Sequence, residues 1–137
     1  MTETALQNNK VVLIVCGSRT FKNETLVFET LESVSGLVGI IEGGASGADA
    51  FGKNFALASG TAFRTFVADW NQYGKRAGYL RNKAMLEELL RLQALGYVVG
   101  VSAFIDKPFE ESRGTSMMVD LAEKAGVQTW VERSDQQ

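Results

Sequence analysis

Three times in this 137-residue chain an apolar run breaks into a loop of small residues and then into a segment with helical periodicity. The loops are Gly17-Ser18-Arg19-Thr20, Gly43-Gly44-Ala45-Ser46-Gly47-Ala48-Asp49 and Ser112-Arg113-Gly114-Thr115-Ser116. That succession is the pattern of strand, loop and helix units. The first run, Val11 to Cys16, is apolar at every position, as expected of a central parallel strand covered by helices on both faces.

The remaining elements follow from periodicity and capping residues. Asn23 suits the N-cap of a helix carrying Leu26, Val27, Leu31 and Val34 on one stripe, ended by Gly36. Leu37 to Glu42 reads as a second strand, and Ala48 to Ser59 as a second helix stopped by Gly60. Thr61 to Ala68 alternates more, which places it nearer an edge. Asp69 to Gly78 reads as the longest loop, followed by a helix from Ala77 to Leu95 with Met85, Leu89 and Leu92 on one stripe. Tyr97 to Ile105 makes a fourth strand, the segment after Gly114 a fourth helix, and Val127 to Val131 a last strand. The expected fold is α/β: a Rossmann-like, doubly wound, mainly parallel five-stranded sheet with helices on both faces. Residues 10–131 form one domain in this reading, with 1–9 a flexible leader and 132–137 a flexible tail.

Composition removes several classes of function. The chain has no histidine, so no imidazole base and no His-ligated metal is available, and neither metal nor cofactor is expected. The net charge is −2, which gives little support to a general electrostatic grip on nucleic acid. Cys16 is the only cysteine, which fits a reducing, cytoplasmic setting and reads as a core thiol. No apolar run resembles a signal peptide or membrane span.

The chemistry lies in the loops. Ligands in such sheets bind where strands end and helices begin, and helix N-termini carry unpaired N–H groups with positive polarity. Arg19, Lys75, Arg76, Arg81 and Arg113 fall in or beside these junctions. The same helix polarity disfavours cations there unless an anion intervenes. The spacing expected of a dinucleotide fingerprint or of a P-loop is missing. Asp49 opens the second helix, where capping is the simpler role and contact with a ligand hydroxyl the alternative. Trp70 would either stack on a base or plug its own loop.

Residues Ala68 to Met85, which read Ala-Asp-Trp-Asn-Gln-Tyr-Gly-Lys-Arg-Ala-Gly-Tyr-Leu-Arg-Asn-Lys-Ala-Met, follow Gly17-Ser18-Arg19 and Gly43-Gly44-Ala45-Ser46-Gly47-Ala48-Asp49. In that order they closely resemble the YspA-like branch of the SLOG superfamily, which joins the Smf/DprA proteins to the LOG phosphoribohydrolases. The resemblance runs from about Val11 to Val131. It implies a pocket for a nucleotide or nucleotide-derived small molecule and a tendency to self-associate as a dimer or higher oligomer. LOG phosphoribohydrolases carry P-G-G-x-G-T-x-x-E beside an arginine helix. Arg81 and Met85 match that helix and Gly114-Thr115 match the G-T, but Met118 stands where the glutamate belongs.

The leading expectation is therefore a binding domain whose phosphate-cradling site comprises Gly17, Ser18, Arg19, Gly43, Gly44, Gly47, Asp49, Trp70, Arg81, Asn82, Arg113, Gly114 and Thr115. Backbone N–H groups of Ser18, Gly44 and Thr115 would complete the cradle. An enzymatic alternative is a nucleotide N-glycosidase with Arg81 and a relocated carboxylate, either Asp49 or one of Glu110 and Glu111. A single-stranded nucleic-acid module like the DprA relatives ranks third.

Overall fold

The computed structural model describes residues 9–134. Five strands make one fully parallel sheet: β1 (Val11–Gly17), β2 (Leu37–Glu42), β3 (Ala62–Thr65), β4 (Val98–Ile105) and β5 (Gln128–Arg133), in the order β3-β2-β1-β4-β5. Helices α1 (Glu24–Glu32) and α2 (Ala48–Ser59) cover one face. Helices α4 (Ala77–Ala94) and α5 (Arg113–Lys124) cover the other, and a single turn, α3 (Trp70–Tyr73), precedes α4.

The two-sided apolarity of β1 explains its central place. Val12, Ile14 and Cys16 join the core beneath α4 and α5, while Leu13 and Val15 join the core beneath α1 and α2. With Ile14 and Val15 at 0% exposure, the backbone that launches the first loop is held from both sides. The crossover between the halves of the sheet falls between β1 and β4. This is the switch point at which open α/β sheets leave a crevice.

The local signals operate as expected at several ends. Asn23 Oδ1 accepts the N–H of Leu26 at 3.1 Å, and Gly60 closes α2 in the left-handed conformation. Other expectations need correction. Asp69 to Gly78 is not a loop: Asp69 Oδ1 accepts the N–H of Gln72 at 3.0 Å, capping α3, and a 3₁₀ turn over Gly74–Arg76 leads into α4. Asp69 is a legible N-cap that the glycine and charge content of the segment obscures. Strand β3 is only four residues long, because its pairing stops where β2 stops. Strand β5 includes Glu132 and Arg133, which by composition belong to a polar tail, because β4 still offers pairing as far as Ile105. Residues 1–8 of the leader and 135–137 of the tail lie outside the described residues.

Candidate functional site

The loops after β1, β2 and β4 meet at the carboxyl edge of the sheet around a cleft of about 550 Å³. Of the residues expected at the site, Gly17, Ser18, Arg19, Asp49, Trp70, Arg81, Asn82, Arg113, Gly114 and Thr115 line it, together with Lys75. Gly43, Gly44, Gly47, Arg76 and Glu110 do not. Glu111, its neighbour, does line the cleft, and Glu110 is exposed outside it. Sequence reasoning missed Tyr79, Lys107 and Ser112 on the walls, and Cys16, Met85 and Met118 as the apolar lining. Tyr79 and Ser112 lie inside segments that the sequence singles out, Ala68 to Met85 and Ser112 to Ser116, but were not named there as site residues; Lys107 lies in no motif.

The second loop behaves differently from the expectation. Asp49 Oδ2 accepts the N–H groups of Gly43 (3.0 Å) and Ala45 (3.3 Å), and Glu42 Oε1 accepts that of Gly44 (2.9 Å). Three successive amides, the geometry that elsewhere cradles an anion, are thus taken by the protein's own carboxyl groups. The N–H of Ser18 is also committed, donating to the carbonyl of Phe104 at 2.9 Å. Ser18 and Gly44 therefore do not supply the amide donors expected of them. Asp49 closes the loop ahead of its helix instead of capping the helix itself, whose N-cap is Gly47.

That internal closure places Arg81. Its Nη1 donates to the carbonyl of Gly43 at 2.7 Å and its Nε to Asn82 Oδ1 at 2.9 Å, while Asn82 Nδ2 donates to the carbonyl of Gly114 at 3.2 Å. One buried asparagine thus ties the arginine on α4 to the start of α5. Gly43 lets these groups approach: a Cβ there would run into the Arg81 guanidinium and lie 2.9 Å from Asp49 Oδ2, so both side chains would have to shift. Burial raises the Asp49 carboxyl to about 6, against the lowering effects of the Ala45 amide and Arg81. Glu42, 1% exposed behind it, adds to the rise and keeps Oε2 without a partner among the described residues. The Cys16 thiol is pushed far above its usual range, first by burial and then by the Asp49 charge, so it stays a neutral core group at physiological pH.

The third loop keeps donors to spare. Helix α5 begins after Ser112, whose side chain does not cap it, and the N–H groups of Gly114 and Thr115 have no acceptor among the described residues. Ser112 is 5% exposed and its Oγ is also without a partner there. Around it the lining carries Arg19, Lys75, Arg81, Lys107 and Arg113 against Asp49 and Glu111. Among the described residues none of these cations is in a salt bridge, and both salt bridges belong to Glu88, with Arg64 and Arg91. Arg19 lies over the Trp70 ring, 5.9 Å from its centroid, which holds the tryptophan at the rim. Thr20 Oγ1 donates to Asp106 Oδ2 at 2.6 Å, and the Asp106 N–H to Ser18 Oγ at 3.2 Å, so the first and third loops are also joined.

Residues 11–73 match the model of a protein family described as the YspA, cpYpsA-related SLOG family. The Gene 61 protein of Mycobacterium phage D29 is 30% identical over 125 residues, covering 84% of this chain and 90% of that protein. The chain belongs to the YspA, cpYpsA-related SLOG family. No solved structure matches it.

Within this SLOG domain the family match spans the first two loops and stops at Tyr73, so the donors of α5 lie beyond it. The departure at Met118 acquires a physical meaning. Its side chain is 1% exposed and packed in the core with Met85, so no carboxylate stands at that point of the cleft. The SLOG domain has no helix, among the described residues, long and apolar enough to cross a membrane. Nor do its described residues include a cluster of side chains suited to holding a metal ion.

Proposed function

We propose that the cleft binds a phosphate-bearing, nucleotide-derived small molecule, with the phosphoryl group at the start of α5. One observation carries the reading: uncommitted Gly114 and Thr115 amides and a buried, unpartnered Ser112 hydroxyl lie in a cleft lined by five cations and two carboxylates. A bound phosphate accepts hydrogen bonds from all three groups and lowers the cost of crowding those cations at helix starts. Arg113 and Arg81 supply charge, and Trp70, half-exposed at the rim, offers a face for a base.

Thermal shift with a panel of nucleoside monophosphates tests this. A ligand at about a hundred times its Kd adds roughly 2.7 kcal/mol of stability, or several degrees. Arg113→Glu is expected to weaken binding by about 10- to 100-fold, as loss of a charge-assisted bond implies. Ser112→Ala separates function from stability. It removes a buried hydroxyl that has no partner, so the melting temperature is expected to hold or rise while affinity falls about fivefold. A panel that produces no shift at millimolar concentration, or a Ser112→Ala protein that binds normally, rejects the assignment.

A second reading is favoured by Asp49, which lines the cleft with its carboxyl held at about 6, near the working range of a general acid or base. In that case the domain cleaves the N-glycosidic bond of its nucleotide. Release of free base, abolished by Asp49→Asn, distinguishes cleavage from binding alone. Self-association and residence in the cytoplasm belong to the same reading; light scattering of the purified chain checks the first.

A further inference from the structure

The two edges of the sheet differ in how they are guarded. Strand β3 has four residues, and cations stand over it: the Lys53 ammonium lies 5.5 Å from the Phe63 ring centroid, and Arg64 stacks on Phe66 at 4.4 Å and reaches Glu88 at 3.6 Å. Strand β5 has six residues, no proline and an unbroken register with β4, and its first part, Gln128-Thr129-Trp130-Val131, carries no charge. Trp130 and Val131 are 45% and 42% exposed on opposite faces of the strand and belong to neither core. The Trp130 ring lies over Gly100, on the face of β4 where Val98 is also exposed.

The ladder fixes which backbone groups β5 turns outward. Ser134 donates its N–H to the Ile105 carbonyl at 2.9 Å, and because a strand alternates, Gln128, Trp130 and Glu132 also face β4, while Thr129, Val131 and Arg133 direct their N–H and C=O groups to the outer side. No strand lies on that side among the described residues, and every residue of β5 except Thr129 is exposed. We infer that β5 is the surface on which two copies of this chain pair, antiparallel about a twofold axis through Val131, to make one continuous sheet. Such a contact uses the same patch on both subunits and closes at two. Alternation and charge select the register. Side chains directly opposite must share a face, so the candidate registers differ by steps of two residues. With Val131 opposite the partner's Val131, Glu132 stands opposite the partner's Trp130 and Arg133 opposite the partner's Thr129, and no like charges are directly opposed. One step in one direction sets Glu132 against the partner's Glu132. One step in the other sets Arg133 against the partner's Val127, which is 3% exposed and precedes the strand. The inference gives the self-association proposed above its surface and rests on that part of the reading, not on the phosphate assignment.

Sedimentation velocity of the full chain over a concentration series tests this, and a monomer–dimer equilibrium with a micromolar Kd is expected of a contact this small. Val131→Lys and Val131→Glu each set two like charges across the axis, and each is expected to weaken association about tenfold or more. An equimolar mixture of the two is expected to recover association to within about threefold of the unsubstituted chain, because lysine then faces glutamate. Val131 is exposed, so both variants are expected to keep the circular dichroism of the parent. Trp130 gives a reading without any change of charge: its emission is expected to move to shorter wavelength as concentration rises, a shift that Trp130→Phe removes. A chain that stays monomeric throughout overturns this inference and the self-association with it, while the phosphate assignment stands on its own test. Dimers that persist in both single variants, a mixture that fails to recover, or emission that does not change with concentration place the contact elsewhere, and the inference fails while self-association stands.

Discussion

Gly47→Ala is expected to destabilise the fold by about 3–5 kcal/mol, near the upper end of what single substitutions do. Gly47 has φ 72° and ψ −127°, a backbone conformation open essentially to glycine alone. Its missing Cβ also makes room for the first loop. A methyl group would run into the Ser18 carbonyl oxygen and lie 2.7 Å from the Arg19 carbonyl carbon. Backbone, unlike a side chain, cannot swing aside. The first and second loops touch at this point, through Ala48 N–H to the Ser18 carbonyl at 3.3 Å and Ser46 Oγ–H to the Arg19 carbonyl at 3.0 Å. Separating them would displace Arg19 from the rim and reduce ligand affinity. Gly60→Ala is the matched control: φ is again 72°, but nothing lies within 4 Å of the added carbon. It should cost only about 1 kcal/mol. Urea denaturation of both variants measures the contrast, and equal losses would mean that the loops do not meet as described.

Asp49→Asn is expected to act in the opposite direction and to depend on pH. Burial raises the Asp49 carboxyl from 3.8 to about 6 in the folded chain, so between those values the native state binds a proton that the unfolded chain releases. Its contribution is most favourable below about pH 4, declines as pH rises through about 6, and is a constant cost above that. A displacement of about two units corresponds to roughly 3 kcal/mol at neutral pH. Asparagine retains a carbonyl oxygen to accept the Gly43 and Ala45 amides and carries no charge to bury. The variant is therefore expected to gain about 1–3 kcal/mol at pH 7.5 and almost nothing at pH 4. Urea midpoints at the two pH values measure the difference, and an equal gain at both would show that the Asp49 carboxyl does not titrate as the site geometry implies. A buried carboxylate kept at such a cost in a cleft lined with arginines is what a functional group, more than a structural one, would explain.

Much of the fold was legible because its determinants are local. Two-sided apolarity in Val11 to Cys16 marks a covered strand, three- and four-residue spacing marks the helix faces, and Asn23 and Gly60 mark helix ends. Arg19, Arg81 and Arg113 were legible as site candidates for a related reason: a parallel sheet sends every strand end to the same edge. The roles of the amides were not legible. Whether the N–H groups of Gly43, Gly44 and Ala45 serve a ligand or Asp49 and Glu42 depends on how the end of β2 lies against the first turn of α2. Glu110 and Glu111 are adjacent in sequence and differ only in the direction a 3₁₀ turn gives them.

From the order of its apolar runs, caps and glycines alone, this chain determines a parallel α/β sheet and the edge at which its strand-to-helix loops gather, because periodicity and turn chemistry are properties of neighbouring residues. Tertiary structure decided which donors at that edge remain uncommitted. Hydrogen-bond partners are settled by distances of a few ångströms between segments far apart in the chain. The Asn82 link from Arg81 to Gly114, and the unpartnered hydroxyl of Ser112 beneath the start of α5, exist only once those segments are packed together.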